Sequence, residues 1–577
     1  SKYFILMVSK MKSIFNKILF IISLSFVVSS CGEGYLDEVP LDRFSPENLL
    51  TSAAGYDAAV VSLYEGARRE HIIASNNFEY MTVGTDQTQW GRNDSRGNKD
   101  YSLLNSNLDA TIIYWDWAFK EMIVKANLIL ENIDNPTLEI SEADRSNIKG
   151  QALFFRGYTY NFLANIYGGV PIVKERITQP KFDFVRESRV DVLAFAASDL
   201  EQASQLLPTQ VPDGRIPRAA AFHLLSEVYI SLGMERNDPG FYDKSIAAAS
   251  KVISKEAGDY HLITARFGKA AAKPGDVFSD IFADGQINWS QGNKEVMWAW
   301  QFENFTIGGS FSASLANNSI RYWGPEYDRT QSPNGVLNLP SDSLGRGIGV
   351  NSPTNYLKYD IWKIDPQDMR NSRYNIQREF YYNNPADLEY YKKPIIAKKA
   401  ANGKLVTVKN DGTLTNFELD TLRMYYPYYR KVEGTALSNN ILSGNSVKDF
   451  SRMRVAETYL YRAEAYLRKG ELAKAANDIN VIRARAKAKL ITASDVTEDF
   501  ILDERSRELV VEEPRLRTLI RMGRLVDRVK KYNSLPSVPN GPSSGGTIKD
   551  FNRFWPIPQK VIDANTEAKF EQNPGYL

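Results

Sequence analysis

Apolar positions along this chain recur every three to four residues in three paired stretches. Ala152, Phe155, Thr159, Phe162 and Ile166 form one stripe, and Leu193, Ala197, Leu200 and Leu207 form its neighbour. Ala221, Leu225, Val228 and Leu232 are followed by Tyr242, Ile246, Ala249 and Ile253. The third pair is Ala456, Tyr459, Ala463, Tyr466 and Leu467, then Leu472, Ala475, Ile479, Ile482 and Ala486, with Gly470 in the turn. A 3.6-residue period places each set on one helix face, and a short turn between two such helices makes a helical hairpin. A single hairpin cannot bury its apolar face, so three of them predict a stack. Small Ala and bulky Tyr and Leu distribute around Gly470 as they do in tetratricopeptide units. Stretches 47–69 and 109–134 supply a fourth pair, and a last helix is expected near 498–523.

Residues 255–450 break the period. Gly, Pro, Asn and aromatics interleave there with short possible strands, Glu295–Phe302 and Gly403–Lys409. The expected fold is therefore mainly α: a tetratricopeptide-like helix-pair scaffold of about four helical hairpins, with few short strands and a large irregular, loop-rich insertion. Loops carried on a rigid scaffold are where binding chemistry concentrates.

A different pattern occupies the N-terminus. Lys12 and Lys17 precede an apolar run, Ile18–Val28, interrupted only by Ser23 and Ser25. Eleven residues are too few to cross a hydrocarbon core of ~30 Å as a helix, so the run reads as a secretory signal. Val28-Ser29-Ser30-Cys31 follows and resembles a bacterial lipobox, in which the peptide is cut before the cysteine and that residue is acylated. Cys31 is the one cysteine among 577 residues, which leaves no thiol for disulfide, metal or nucleophilic use. Residues Ser1–Lys10 are expected to precede a start at Met11, and 1–30 are excluded from fold reasoning.

Charge adds an exclusion. The chain carries 71 basic and 69 acidic residues; 1–30 hold four lysines and no acid, so the chain from Cys31 has 67 against 69. A near-neutral protein without a basic stripe is not built for nucleic acid. Three scattered histidines, His71, His223 and His261, argue against a histidine-rich metal centre, and no cofactor is implied.

Two patches combine flat aromatic faces with planar polar groups, the mixture that meets both the C–H face and the hydroxyls of a sugar. The first is 85–94, with Trp90 beside Asp86, Gln89, Arg92 and Asn93; the second is 317–328, with Tyr322 and Trp323 beside Arg321. Trp289, in a polar loop, is a third candidate. Trp115, Trp117, Trp298, Trp300 and Trp555 read as packing residues. The run Asp503–Glu508 reads as a helix face that is solvated or paired within itself, through opposite charges one turn apart. Asp360, Asp365 and Asp368 lack the spacing of a calcium loop, and Gly345–Gly349 lacks the strand and helix context of a nucleotide loop. No catalytic motif stands out, and no catalytic residue is assigned.

Four blocks carry a resemblance: CGEGYLDEVP after the lipobox, 149–173, 501–525 and 554–577. In order from Cys31 to the last residue, they resemble the SusD/RagB proteins, surface lipoproteins of the Bacteroidota outer membrane. One departure is Glu513-Pro514-Arg515-Leu516, where many relatives have a Gly-His-Arg-Trp-like stretch; Pro514 is expected to bend the helix there. The resemblance implies one unit: a helical part at 31–254, a ligand-binding insertion at 255–450 and a second helical part at 451–577. It also implies an outer-membrane, lipid-anchored, non-enzymatic protein that captures an oligosaccharide for a SusC-like TonB-dependent transporter. Two other functions suit the same architecture: a peptide or glycopeptide receptor, and a purely structural tetratricopeptide adaptor.

Overall fold

The computed structural model describes residues 49–72, 81–92, 100–306, 316–341, 343–536 and 541–576. Cys31 and Asn93 lie outside them. From Asp57 onward the chain forms one unit.

Each expected helical pair is present. Helix α1 spans Ala53–Ile72; α2 (Asp109–Asp116) continues through a wide π-turn, Trp117–Met122, into α3 (Ile123–Asn132). The Trp117 indole N–H donates to the carbonyl of Gly66 at 2.7 Å, which ties this helix to α1. The hairpins follow: α4 (Glu142–Ile166) with α5 (Arg189–Leu206), and α6 (Arg218–Arg236) with α7 (Gly240–Ile253). Ser141 and Ser188 cap α4 and α5 by accepting from the amides of Asp144 and Asp191, satisfying helix-end donors. Helices α8 (Val455–Arg468) and α9 (Leu472–Arg485) form the third hairpin. Helix α5 packs on α6, and α7 packs on α8, although some two hundred residues separate α7 from α8. The stack is therefore continuous in space and interrupted in sequence.

The interruption is closed by a strand pair. Strand β2 (Val296–Trp300) lies antiparallel to β9 (Phe450–Arg454), with Val296 opposite Arg454 and Trp300 opposite Phe450. Trp298, 1% exposed, meets Phe154, Phe155 and Tyr158 of α4 edge-on, so the strand pair is welded to the scaffold by aromatic packing. Between them run β3 (Asn351–Pro353), β4 (Ile376–Gln377), β8 (Tyr428–Tyr429) and a small sheet of β5 (Ala397–Lys399), β6 (Leu405–Val408) and β7 (Leu414–Glu418). β1 (Thr88–Trp90) joins β3.

The last expected helix is two. Helix α10 (Glu498–Leu509) stops, Val511 adopts φ +76°, and α11 (Arg515–Arg521) starts after Pro514. Proline disfavours helical geometry in the residue before it and lacks an N–H, which accounts for the break. Helix α12 (Leu525–Tyr532) follows.

Of the pairing expected within Asp503–Glu508, the structure shows Glu504 with Arg507 one turn on, and the run's other charges pair in the core with other elements. Glu504, Arg505 and Glu508 are wholly buried. Glu504 holds Arg370, Arg483 and Arg507, each at 2.9 Å. Glu508 holds Arg485, with Arg454 and Arg370 at 3.1 Å. Arg505 binds Glu457 and Glu513. Burial alone would raise the carboxyl pKa of Glu508; Arg485, Arg454, Arg370 and Lys431 pull it down to about 2. Ions buried at several kcal/mol each are tolerated because every charge is met at close range.

Candidate functional site

The segment 345–354 draws the two aromatic patches together. On one edge β3 takes β1 in register, Gln89 opposite Ser352 and Trp90 opposite Asn351. The hydroxyl of Thr354 donates to the carbonyl of Asp86 at 2.6 Å, and the amide of Gly91 to that of Val350 at 3.0 Å. On the other edge the amides of Ile348 and Gly349 donate to the carbonyls of Arg321 and Gly324 at 2.9 and 3.0 Å. Side chains would wedge this junction apart. A Cβ on Gly347 would lie 2.4 Å from the carbonyl oxygens of Gly324 and Pro325; Gly349, at φ +64°, would meet that of Arg423 at 2.4 Å. Gly347 and Gly349 thus serve backbone-on-backbone packing, and Gly345 makes room for the Ile320 side chain.

The sequence-derived candidates separate here. Asp86 is an internal anchor: it accepts from Arg515 at 2.8 and 2.7 Å and from Arg528 at 2.9 Å, fixing the early loop to α11 and α12. Burial would raise its pKa, and these two guanidiniums bring it to about 2. Trp90, Tyr322 and Trp323 are 1–2% exposed. The Trp323 ring packs edge-on to Tyr429 with centroids 6.2 Å apart. A ring that stacks on a sugar needs an open face, and these three lie beneath the surface. Arg92 and Arg321 are half-buried, and Arg92 donates to the carbonyl of Ile348 at 3.3 Å. Trp289 is not brought to the junction; its indole donates to the carbonyl of Asp259 at 3.0 Å and Lys294 sits over its ring. Trp115, Trp117, Trp298, Trp300 and Trp555 are buried packing residues.

Beside the junction lies a cleft of about 630 Å³ that composition did not single out. Ile320, Gly345 and Gly444 line one side, and Arg266, Lys273, Tyr374 and Arg430 line others. Most of its charges are already matched. Arg266 grips Asp280 at 2.8 and 2.7 Å, Arg430 grips Glu433 at 2.7 and 3.0 Å, and Asp284 accepts from the amide and hydroxyl of Thr435 at 2.7 Å. Burial lifts the pKa of Glu433 against the pull of Arg430. The wall also offers Ser341, Ser343, Asn439 and Asn445 and the half-exposed ring of Tyr374. Hydroxyls, amides and the half-exposed Tyr374, whose ring carries Arg373 at 5.1 Å, suit a ligand rich in hydroxyl groups. Tyr374 and its neighbours were invisible in sequence because they occur singly, far apart, with no local pattern.

No metal centre competes for this role among the described residues, where no group of three or more metal-capable side chains occurs. Asp360 pairs with Lys363, Asp365 accepts from the amides of Gln367 and Lys489, and Asp368 pairs with Arg370.

Known proteins place this architecture. The SusD family model matches residues 294–576, and a model described as starch-binding associating with outer membrane matches 34–230. The starch-binding protein SusD of Bacteroides thetaiotaomicron is 23% identical over 516 residues, 86% of this chain and 85% of that protein. SusD-like protein P2 of Formosa agariphila is 24% identical over 584 residues, 97% of this chain and 99% of its own. A laminarin-binding SusD-like protein superposes with a TM-score of 0.63 at 20% identity, covering 91% of this chain and all of the other. A SusD homologue from Bacteroides thetaiotaomicron gives 0.65 at 18%, over 92% and 99%. With both ends of the chain matched and the helical stack shared, the chain belongs to the SusD/RagB family.

Proposed function

We propose that this protein is a cell-surface receptor that captures oligosaccharides in the cleft beside the 345–354 junction, without catalysing their cleavage. The observation that carries this reading is the cleft itself: about 630 Å³, walled by hydroxyls, amides and Tyr374, with its main ion pairs already satisfied. Such a wall binds through stacking and hydrogen bonds and offers no activated nucleophile. Relatives named for starch and laminarin binding support the substrate class. Of the sequence-derived residues, Arg92 and Arg321 stand at the junction's edge, and Trp90, Tyr322 and Trp323 are packed within the junction; none of the five lines the cleft. Trp289 and Asp86 are left out of this ligand set, and Asn93 lies outside the described residues.

The rest of the proposal concerns delivery. Cys31 carries the lipid, the protein rests on the outer membrane, and a SusC-like TonB-dependent transporter receives the ligand. Several acyl chains hold a folded domain far more firmly than one, so lipid alone suffices as the tether. No helix among the described residues is long and apolar enough to cross a membrane. Calorimetric titration against neutral and acidic oligosaccharides and peptides tests the receptor role. Tyr374→Ala is expected to weaken saccharide binding about tenfold while leaving the fold intact. Binding to peptides alone would transfer the role to a peptide receptor. Hydrolysis of a glycan that Glu433→Gln abolishes would overturn the non-catalytic reading.

A further inference from the structure

Beside the cleft Arg321 makes no ion pair among the described residues. Arg321 belongs to the short helix Ser319–Trp323, and its Nη1 is sealed from water with no acceptor among the described residues. Its neighbours sharpen the anomaly. Arg346 stands on the 345–354 segment and donates through Nη1 to the carbonyl of Leu442 at 3.1 Å. Arg92 reaches the same segment at Ile348, whose amide binds the carbonyl of Arg321. Burial, then the fields of Arg346 and Arg92, hold the pKa of Arg321 below its ordinary value.

The nearby carboxylates are engaged or turned to other work. Glu326 is taken by Arg423, with Arg329 at 3.7 Å. Asp328 is half-buried, with its pKa raised by burial and by Glu326, and it makes no ion pair with Arg321 or Arg346 among the described residues. Arg321 Nη1 packs directly on Gly444, where a Cβ would come within 2.4 Å of it and 3.2 Å of the Arg346 carbonyl oxygen. Elsewhere in this molecule the buried Arg370, Arg454 and Arg528 are each paired with carboxylates, whereas the half-buried Arg321 makes no ion pair among the described residues.

We propose that Arg321 and Arg346 form a subsite for an oxyanion on the saccharide, a uronate carboxylate or a sulfate ester, so that the captured glycan is acidic. Guanidinium groups recognise both through charge-assisted, paired N–H···O contacts, and a buried donor gains most from a charged acceptor. The inference rests on the saccharide-receptor reading and narrows it to one ligand class.

The test uses the full chain from residue 31 on an array of oligogalacturonates beside their methyl esters, sulfated galactan oligosaccharides beside their desulfated forms, and neutral α- and β-glucans. Preference for either acidic set over its neutral form by about tenfold or more is expected, and the set preferred tells carboxylate from sulfate. That preference should shrink as salt rises from 50 to 500 mM, roughly as charge screening shortens. Arg321→Gln and, at the more peripheral position, Arg346→Gln should each remove most of it, with unchanged thermal unfolding excluding a folding defect. Equal binding of acidic and neutral forms, or binding of neutral glucans alone, overturns the acidic subsite and leaves the receptor standing. No binding to any saccharide overturns both.

Discussion

Buried charge is handled in opposite ways in two parts of this molecule. Beneath the helical stack, Glu504 and Glu508 each meet three guanidiniums, and Arg454 is shared among Glu295, Glu508 and Glu512. Beside the cleft, Arg321 Nη1 meets nothing among the described residues. Desolvation is paid in both places, but only the first recovers it within the fold. Ions paired with carboxylates hold elements in register; Arg321, which has no such pair among the described residues, is the group the acidic-ligand proposal uses.

The largest expected break in that comparison is Glu508→Ala. It strands Arg370, Arg454 and Arg485 in a dry interior and should cost about 3–5 kcal/mol in denaturant unfolding. Acid probes the same region without mutation. Glu508 and Asp86 sit at about 2 when folded and near ~4 when unfolded, so the unfolded chain binds protons first as pH falls. Their stabilisation is complete above pH ~4 and is lost as pH drops towards 2, which denaturant midpoints at pH 7, 4 and 3 would register as a progressive fall. Gly347→Ala should cost about 1–3 kcal/mol, since two backbone carbonyls must move aside, and it should weaken ligand binding along with stability. The smallest stability effect is at Arg321. Arg321→Gln should change unfolding by less than about 1 kcal/mol in either direction, because no partner among the described residues is orphaned. A loss there as large as that for Glu508→Ala would erase the distinction between the two regions.

What could be read from sequence follows the range of the interactions. The helix stripes were legible because a 3.6-residue period is local, and so was the strand at Glu295–Phe302, now β2. Pro514 announced a bend, although the extent of the break, two helices where a single run was expected, shows only in the Val510–Pro514 turn. The partners of Glu504 and Glu508 come from Arg370, Arg454, Arg483 and Arg485, and no helical period predicts contacts between residues 21 to 138 positions apart on different elements. The same limit governs the site. Composition marked 85–94 and 317–328, but their meeting depends on backbone pairing with 345–354, and the burial of Trp90 and Trp323 depends on what packs over them. A tryptophan in a polar stretch reads as exposed until the rest of the chain is placed.

The packing of α7 against α8 has a consequence for how such a protein can change. Because those helices touch, the chain leaves the stack and re-enters it at neighbouring points, and β2 with β9 knots the exit. To the helices, everything between is one loop with fixed ends, and doubling a loop's length adds only about 0.6 kcal/mol of closure entropy. Insertions, deletions or exchange of loops between Ile253 and Val455 can therefore redraw the recognition surface while the stack keeps its shape, provided β2, β9 and the core-pairing residues Glu295, Arg370 and Arg454 are kept. Lineages facing different polymers would need to alter only that span, and a designer could do the same.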